Sequence, residues 1–160
     1  MKILFRAFII CVCVTFLACG KEEEENPIPD WPVNLKINLI SPRDHNLVTP
    51  LNTVSYTEST SILKGESIGF SGLLVICSTT SITGSIYGLY AYDLCCPNEV
   101  QKNVIVKAQS DGTAKCAKCE SVYYILDGSG RKISGPSKHG LKRYQTRYSQ
   151  LEPSIFYITR

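Results

Sequence analysis

Four cysteines stand in two groups in the middle of the chain. Cys95 and Cys96 lead into Pro97-Asn98, and Cys116 and Cys119 bracket Ala117-Lys118, with seventeen residues between Asn98 and Cys116. A Cys-x2-Cys loop is short enough for both sulfurs to face one ion, as in thiolate knuckles for zinc and in iron-sulfur sites. The same spacing serves a redox dithiol. In an oxidising compartment, any two of these thiols are expected to pair as a disulfide. Spacing alone leaves the three chemistries open. Little else in the chain offers reactivity: it has no nucleophile elbow and no paired carboxylates set for acid-base work, so it is not expected to be an enzyme. Of its two histidines, His45 lies beside Asp44 in a proline-broken loop and is expected to be solvated, while His139 follows a Gly-Pro loop and could approach the cysteines.

The compartment follows from the first residues. Lys2 and Arg6 flank the start of an apolar run, AFIICVCVTFLA, too short to cross a bilayer but suited to a signal-peptide core. It ends in FLACG, which resembles the lipobox of bacterial lipoproteins, with Phe16 where leucine is commonest. Residues 1–18 are therefore expected to be removed and Cys19 to carry lipid. The next residues, GKEEEEN, have the composition of a solvated tether and resemble the acidic signal that sends some lipoproteins to the outer face of the outer membrane. NPIPDWP, residues 26–32, extends that tether as a stiff, proline-rich linker. Of eight cysteines, six follow the signal, and lipidation of Cys19 leaves five, an odd number that cannot all pair internally.

With 44% hydrophobic and 19% charged residues, the composition is that of one main globular domain. The net charge of +3 falls to +1 once Lys2 and Arg6 leave with the signal, which excludes a general polyanion-binding argument, and the extracytoplasmic lipoprotein reading argues against nucleic acid. Residues 131–160 hold seven Lys or Arg against the single acid Glu152, a basic end expected to be a solvated strand face.

The elements that must position the cysteines are strands. VNLKINLI alternates Val33, Leu35, Ile37 and Leu39 with polar residues and predicts a half-buried strand, with a second at TVSYT. GLLVICS, IYGLYAYDL, NVIVKAQ, SVYYIL, LKRYQTRY and SIFYITR follow at short intervals, separated by Gly, Ser, Asn and Asp. The fold class expected is all-β, a small antiparallel sandwich or barrel over residues 33–160, with tyrosines and leucines filling its core. Cys77, inside an apolar strand, is expected to be a small buried hydrophobe.

A family resemblance adds to this. The intervals Cys96-x-Asn98 and Cys116-x2-Cys119 match the Cys-x-His and Cys-x2-His frame of a Rieske domain. Beyond them, Glu120-Ser121-Val122-Tyr123, Asp127, Gly130-Arg131, Gly135-Pro136 and Leu141 follow in the order of the bc-type proteins, and AYDLCCP resembles the strand entering the first ligand loop. From about residue 67 to 160 the chain therefore resembles a Rieske-type domain, with its ligand-loop part at about 86–140. The resemblance implies a 2Fe-2S cluster and an electron-transfer role with a redox or envelope protein partner. Asn98 and Cys119 stand where the histidines belong, so the ligands implied are Cys96, Cys116 and Cys119, with Cys95 as a fourth and Glu99 a weaker candidate for that place. Ser121 and Tyr123 would donate to a cluster sulfide and a ligand thiolate, and Gly135-Pro136 would cover the centre. Lys118 occupies a position that a disulfide cysteine has in the bc-type proteins. The alternative is the same fold without a cluster, held by a disulfide or by zinc, acting as a structural or interaction lipoprotein.

Overall fold

A computed structural model describes residues 25–60, 62–81 and 86–160. The signal segment and Cys19 lie outside the described residues. Among the described residues, eleven strands run as β1 (Val33–Asn38), β2 (Thr53–Tyr56), β3 (Ser67–Ile68), β4 (Leu73–Ser81), β5 (Tyr87–Asp93), β6 (Val106–Ala108), β7 (Thr113–Cys116), β8 (Val122–Tyr124), β9 (Lys132–Ser134), β10 (Arg143–Tyr148) and β11 (Ile155–Thr159). One 3-10 turn, His45–Val48, is the only helical element among the described residues, and no helix there is long and apolar enough to cross a membrane. The strands form a seven-stranded sheet in the order β2-β4-β5-β10-β11-β1-β3 and a four-stranded sheet in the order β6-β7-β8-β9, all pairings antiparallel.

The large sheet curls until strands far apart in its order meet in one core: Leu35 and Ile37 of β1, Tyr56 of β2, Leu73 and Val75 of β4 and Phe156 of β11 share a buried cluster. The alternation in β1 follows directly, since only one of its faces is turned to that core. β4 has no such alternation because both its faces are covered. Leu73, Val75 and Cys77 point into the first core, while Leu74 and Ile76 point into a second, against Val106, Ala114, Tyr123 and Ile125 of the small-sheet region. A strand buried on both faces is an unbroken apolar run, and GLLVIC is one. The two-stranded wall β4-β5 thus separates two cores, and the second core carries the cysteine loops. Four tyrosines, Tyr56, Tyr92, Tyr123 and Tyr144, are buried. Tyr92 donates to Ile125 O at 2.9 Å, Tyr56 to Asp44 Oδ1 and Tyr144 to Asp93 Oδ2, both at 2.8 Å, so each of these three hydroxyls is satisfied inside.

Three strands are absent from the sequence expectation. β3 has two residues, β9 is exposed along its whole length, and β7 (Thr-Ala-Lys-Cys) has small residues on its buried side, so none presents an apolar pattern. Residues 26–32 also differ from a free linker. Ile28 is buried, Asn26 Nδ2 donates to Gly140 O at 2.9 Å, and Lys142 Nζ donates to Ile28 O at 2.8 Å while pairing with Asp30. A single isoleucine between prolines docks the segment against the start of β10. His45 is exposed as expected, with Nδ1 3.1 Å from Leu39 O.

Candidate metal centre

The first cysteine loop leaves β5 and the second leaves β7, and hydrogen bonds fix both bases. Cys95 N–H donates to Asp93 Oδ1 at 2.8 Å, and Cys96 N–H donates to Val104 O at 3.1 Å. Cys116 is paired with Val106 of β6, and its N–H donates to Ser121 O at 3.0 Å across the second loop. The two loops therefore meet at one end of the small sheet. There the sulfurs of Cys96, Cys116 and Cys119 all lie within 4.8 Å of one another, with Cys96 and Cys116 buried and Cys119 half-buried. Cys96 Sγ and Cys119 Sγ are 3.5 Å apart.

Polar neighbours are disposed to serve thiolates. Tyr123 OH stands 3.5 Å from Cys96 Sγ, and Ser121 Oγ stands 3.2 Å from Cys119 Sγ. Ser121 Oγ accepts both from the Cys119 thiol and, at 3.1 Å, from Ser137 N–H; once Cys119 is ionised, the serine's own hydrogen is free to turn to the sulfur. The segment bearing Ser137 can lie that close because Gly135 precedes it. Its φ is +93°, and a Cβ there would stand 2.5 Å from Ser121 Cα, so only glycine fits. Pro136 is exposed on the outside of the same turn.

The thiols differ in acidity. Burial pushes Cys96 up to about 12, against the hydrogen bonds from Tyr123 and the Asn98 N–H. At Cys119 burial also opposes ionisation, but the Ser121 hydroxyl, the Ser121 N–H and the neighbouring thiols outweigh it and hold this group below the ordinary cysteine value. Burial raises Cys77 and Cys95 to about 11 each. Thiolate, not thiol, is the nucleophile. Limiting iodoacetamide at neutral pH should therefore label Cys119 first and leave Cys77, Cys95 and Cys96 unmodified in the folded protein. Peptide mass mapping checks this, and faster labelling of Cys95 or Cys96 would reverse the order of acidities.

Not every residue singled out by its place in the sequence reaches the cluster. Cys95 does not join it: neighbours in extended chain point to opposite sides, and with Cys96 turned to the cluster, the Cys95 sulfur faces Cys96 O at 3.6 Å and Gln101 O at 3.7 Å. Asn98 contributes its backbone N–H to Cys96, while its exposed side chain donates to Glu99 Oε1 at 3.1 Å. His139 is outside the three-cysteine group; its carbonyl accepts from Ser137 Oγ at 2.8 Å. Asp93, by contrast, gave no sign in the sequence of the four hydrogen bonds it gathers. Phe70 N–H and Tyr144 OH donate to Oδ2, and Ser71 N–H and Cys95 N–H donate to Oδ1. One partner, Cys95, is two residues away, but the others come from two distant segments, Phe70-Ser71 and Tyr144, which no local pattern announces. What the arrangement can do is hold a metal ion with three thiolates. No protein-family model matches the chain, and no curated protein does.

Proposed function

We propose that this chain is a structural or interaction lipoprotein of the cell envelope whose β domain is closed at one end by a single thiophilic ion, zinc first among them, bound to Cys96, Cys116 and Cys119. One observation carries the reading: the three sulfurs lie within 4.8 Å of one another, with Cys96 and Cys119 3.5 Å apart. Tetrahedral Zn–S bonds of about 2.3 Å place sulfurs about 3.8 Å apart, so the spacing suits one shared ion. A 2Fe-2S centre divides its ligands between two irons on opposite sides of the sulfide bridge. In the Rieske-like frame Cys119 would serve a different iron from Cys96 and Cys116, and the Asn98 side chain, turned outward, offers that iron nothing. The residues present fit one ion and do not fit the Rieske-type cluster. Bound zinc would tie the two loops together and keep the thiolates from oxidation. The lipid on Cys19 would hold the domain at the outer membrane, where its partner is an envelope protein rather than a nucleic acid.

The Ser121 and Tyr123 contacts to sulfur favour a second reading, an iron-sulfur module for electron transfer with Cys96, Cys116 and Cys119 as its thiolate ligands and no histidine, because such bonds to ligand sulfurs stabilise a reduced centre. Its potential would lie near about −400 mV and would lack the pH dependence of histidine ligands. Metal and sulfide analysis of the anaerobically purified mature chain, with a visible spectrum, tests both. One zinc per chain without sulfide is the expected result; iron with inorganic sulfide selects the second reading, and metal-free protein overturns both.

A further inference from the structure

The two cysteine loops are built alike, turn for turn. In Cys96-Pro97-Asn98-Glu99-Val100, the Val100 N–H donates to Cys96 O at 2.9 Å, and Val100 closes the turn at φ +49°. In Cys116-Ala117-Lys118-Cys119-Glu120, the Glu120 N–H donates to Cys116 O at 3.0 Å, and Glu120 closes the turn at φ +61°. Valine and glutamate rarely adopt this left-handed conformation, and for a β-branched residue it is a strained one. The same costly closure is nevertheless made twice, each time one residue past the third position after the leading cysteine. In the second loop that third position is Cys119, which delivers its sulfur to the cluster. In the first loop it is Glu99.

From this correspondence we propose that Glu99 is the fourth protein ligand of the ion, so that the loops supply Cys-x2-Glu and Cys-x2-Cys to one tetrahedral site. The inference rests on the single-ion reading above and extends it to the ligand that completes the shell. The carboxylate lies outside the three-sulfur group but is held between the loops: its side chain is only 13% exposed, and Oε2 lies 2.6 Å from Lys118 Nζ, on the opposite loop, so ligation takes a rotation of the Glu99 side chain away from the lysine. Oε1 accepts from Asn98 Nδ2 at 3.1 Å. Both oxygens are thus engaged by residues of the two turns that also carry the thiolates. A carboxylate oxygen is an ordinary zinc ligand at about 2.0–2.2 Å. Lys118 is the cation that the ion must replace at Oε2.

The test uses the full mature chain and cobalt(II) as the probe, followed by zinc in competition with a chromophoric chelator. Wild type should bind one cobalt with tetrahedral d–d bands and sulfur-to-cobalt charge transfer. Glu99→Gln should lower zinc affinity at least about tenfold. Glu99→Cys should raise the charge-transfer intensity by about a third, the ratio of four thiolates to three. Lys118→Met removes the competing cation and should tighten binding. A merely structural ion pair predicts a different pattern, in which Glu99→Gln and Lys118→Met weaken binding alike, and that pattern overturns the proposal. So does a Glu99→Gln protein with wild-type affinity and spectrum. Failure of the wild type to bind either ion refutes the metal site itself, whereas wild-type binding indifferent to residue 99 refutes only the fourth ligand.

Discussion

Loading the mature chain with zinc should raise its melting temperature by about 8–16 °C over the chelator-treated protein, and Cys116→Ser should abolish the difference. The magnitude follows from linkage. An ion at a thousand times its dissociation constant stabilises the folded state by about 4.1 kcal/mol, and a domain of this size shifts by about 2–4 °C per kcal/mol. Cys116 is the variant of choice because it is buried, ends β7 and lies within the three-sulfur cluster. Serine keeps its volume and removes the thiolate. The pH dependence has opposite signs in the two forms. Metal binding displaces thiol protons, so the stabilisation by zinc grows as pH rises and shrinks as it falls. In the metal-free protein Cys77 and Cys95 are raised to about 11 and Cys96 to about 12, from an ordinary value of 9.0. A group whose folded pKa is raised stabilises fully below its unfolded pKa, and that contribution is lost as pH climbs through the folded one. Metal-free protein should therefore lose stability between about pH 9 and 12. Differential scanning calorimetry with and without chelator reads both trends, and equal melting temperatures in the two forms would remove the ion from the account of stability.

How far the sequence discloses this arrangement depends on whether the decisive partner is near or far along the chain. β1 is legible because one of its faces meets a core and the other meets water, which writes a period of two into Val33, Leu35 and Ile37. β4 is legible for the opposite reason, since two cores write an unbroken run into it. β9 is illegible because neither face is buried. The meeting of Cys96, Cys116 and Cys119 follows from spacing once two loops are placed at adjacent strand ends. The place of Cys95 does not, because adjacency in sequence means opposition in extended chain. Glu99 is in the sequence only the weaker candidate for the fourth place; the reason to prefer it to Cys95 comes from comparing the two turns by their closing φ values, a similarity carried by backbone and not by residue type. The proline-rich segment shows the converse: its composition is that of a spacer, yet the burial of Ile28 and the bonds of Asn26 and Asp30 fasten it to the domain.

The second large effect is expected at a residue that binds no metal. Asp93 is fully buried and ends β5, immediately before the first cysteine loop, where its two oxygens accept from three backbone N–H groups and from Tyr144. Asparagine has almost the same shape but only one accepting oxygen, so Asp93→Asn sets its NH2 against donors that it cannot satisfy. Leaving buried donors without acceptors costs about 1–3 kcal/mol each, and two share each oxygen, so the loss should be about 2–6 kcal/mol. That corresponds to a melting temperature lower by about 4 °C or more. The effect should also reach the cysteines. The Cys95 N–H bond to Oδ1 fixes the exit of the chain from β5, and the residue after it supplies the Cys96 sulfur. Zinc affinity should fall in Asp93→Asn although position 93 touches no sulfur, and the melting difference between loaded and chelated protein should narrow. Asp44→Asn is the control. Asp44 is an equally buried carboxylate, bonded to Arg43, Tyr56 and Asn38 N–H. It belongs to the first core and should lower stability while leaving zinc affinity as it was. If both variants lost stability and both kept wild-type affinity, Asp93 would be a support of the sheet alone, and the first cysteine loop would hold its shape from the turn closed by Val100.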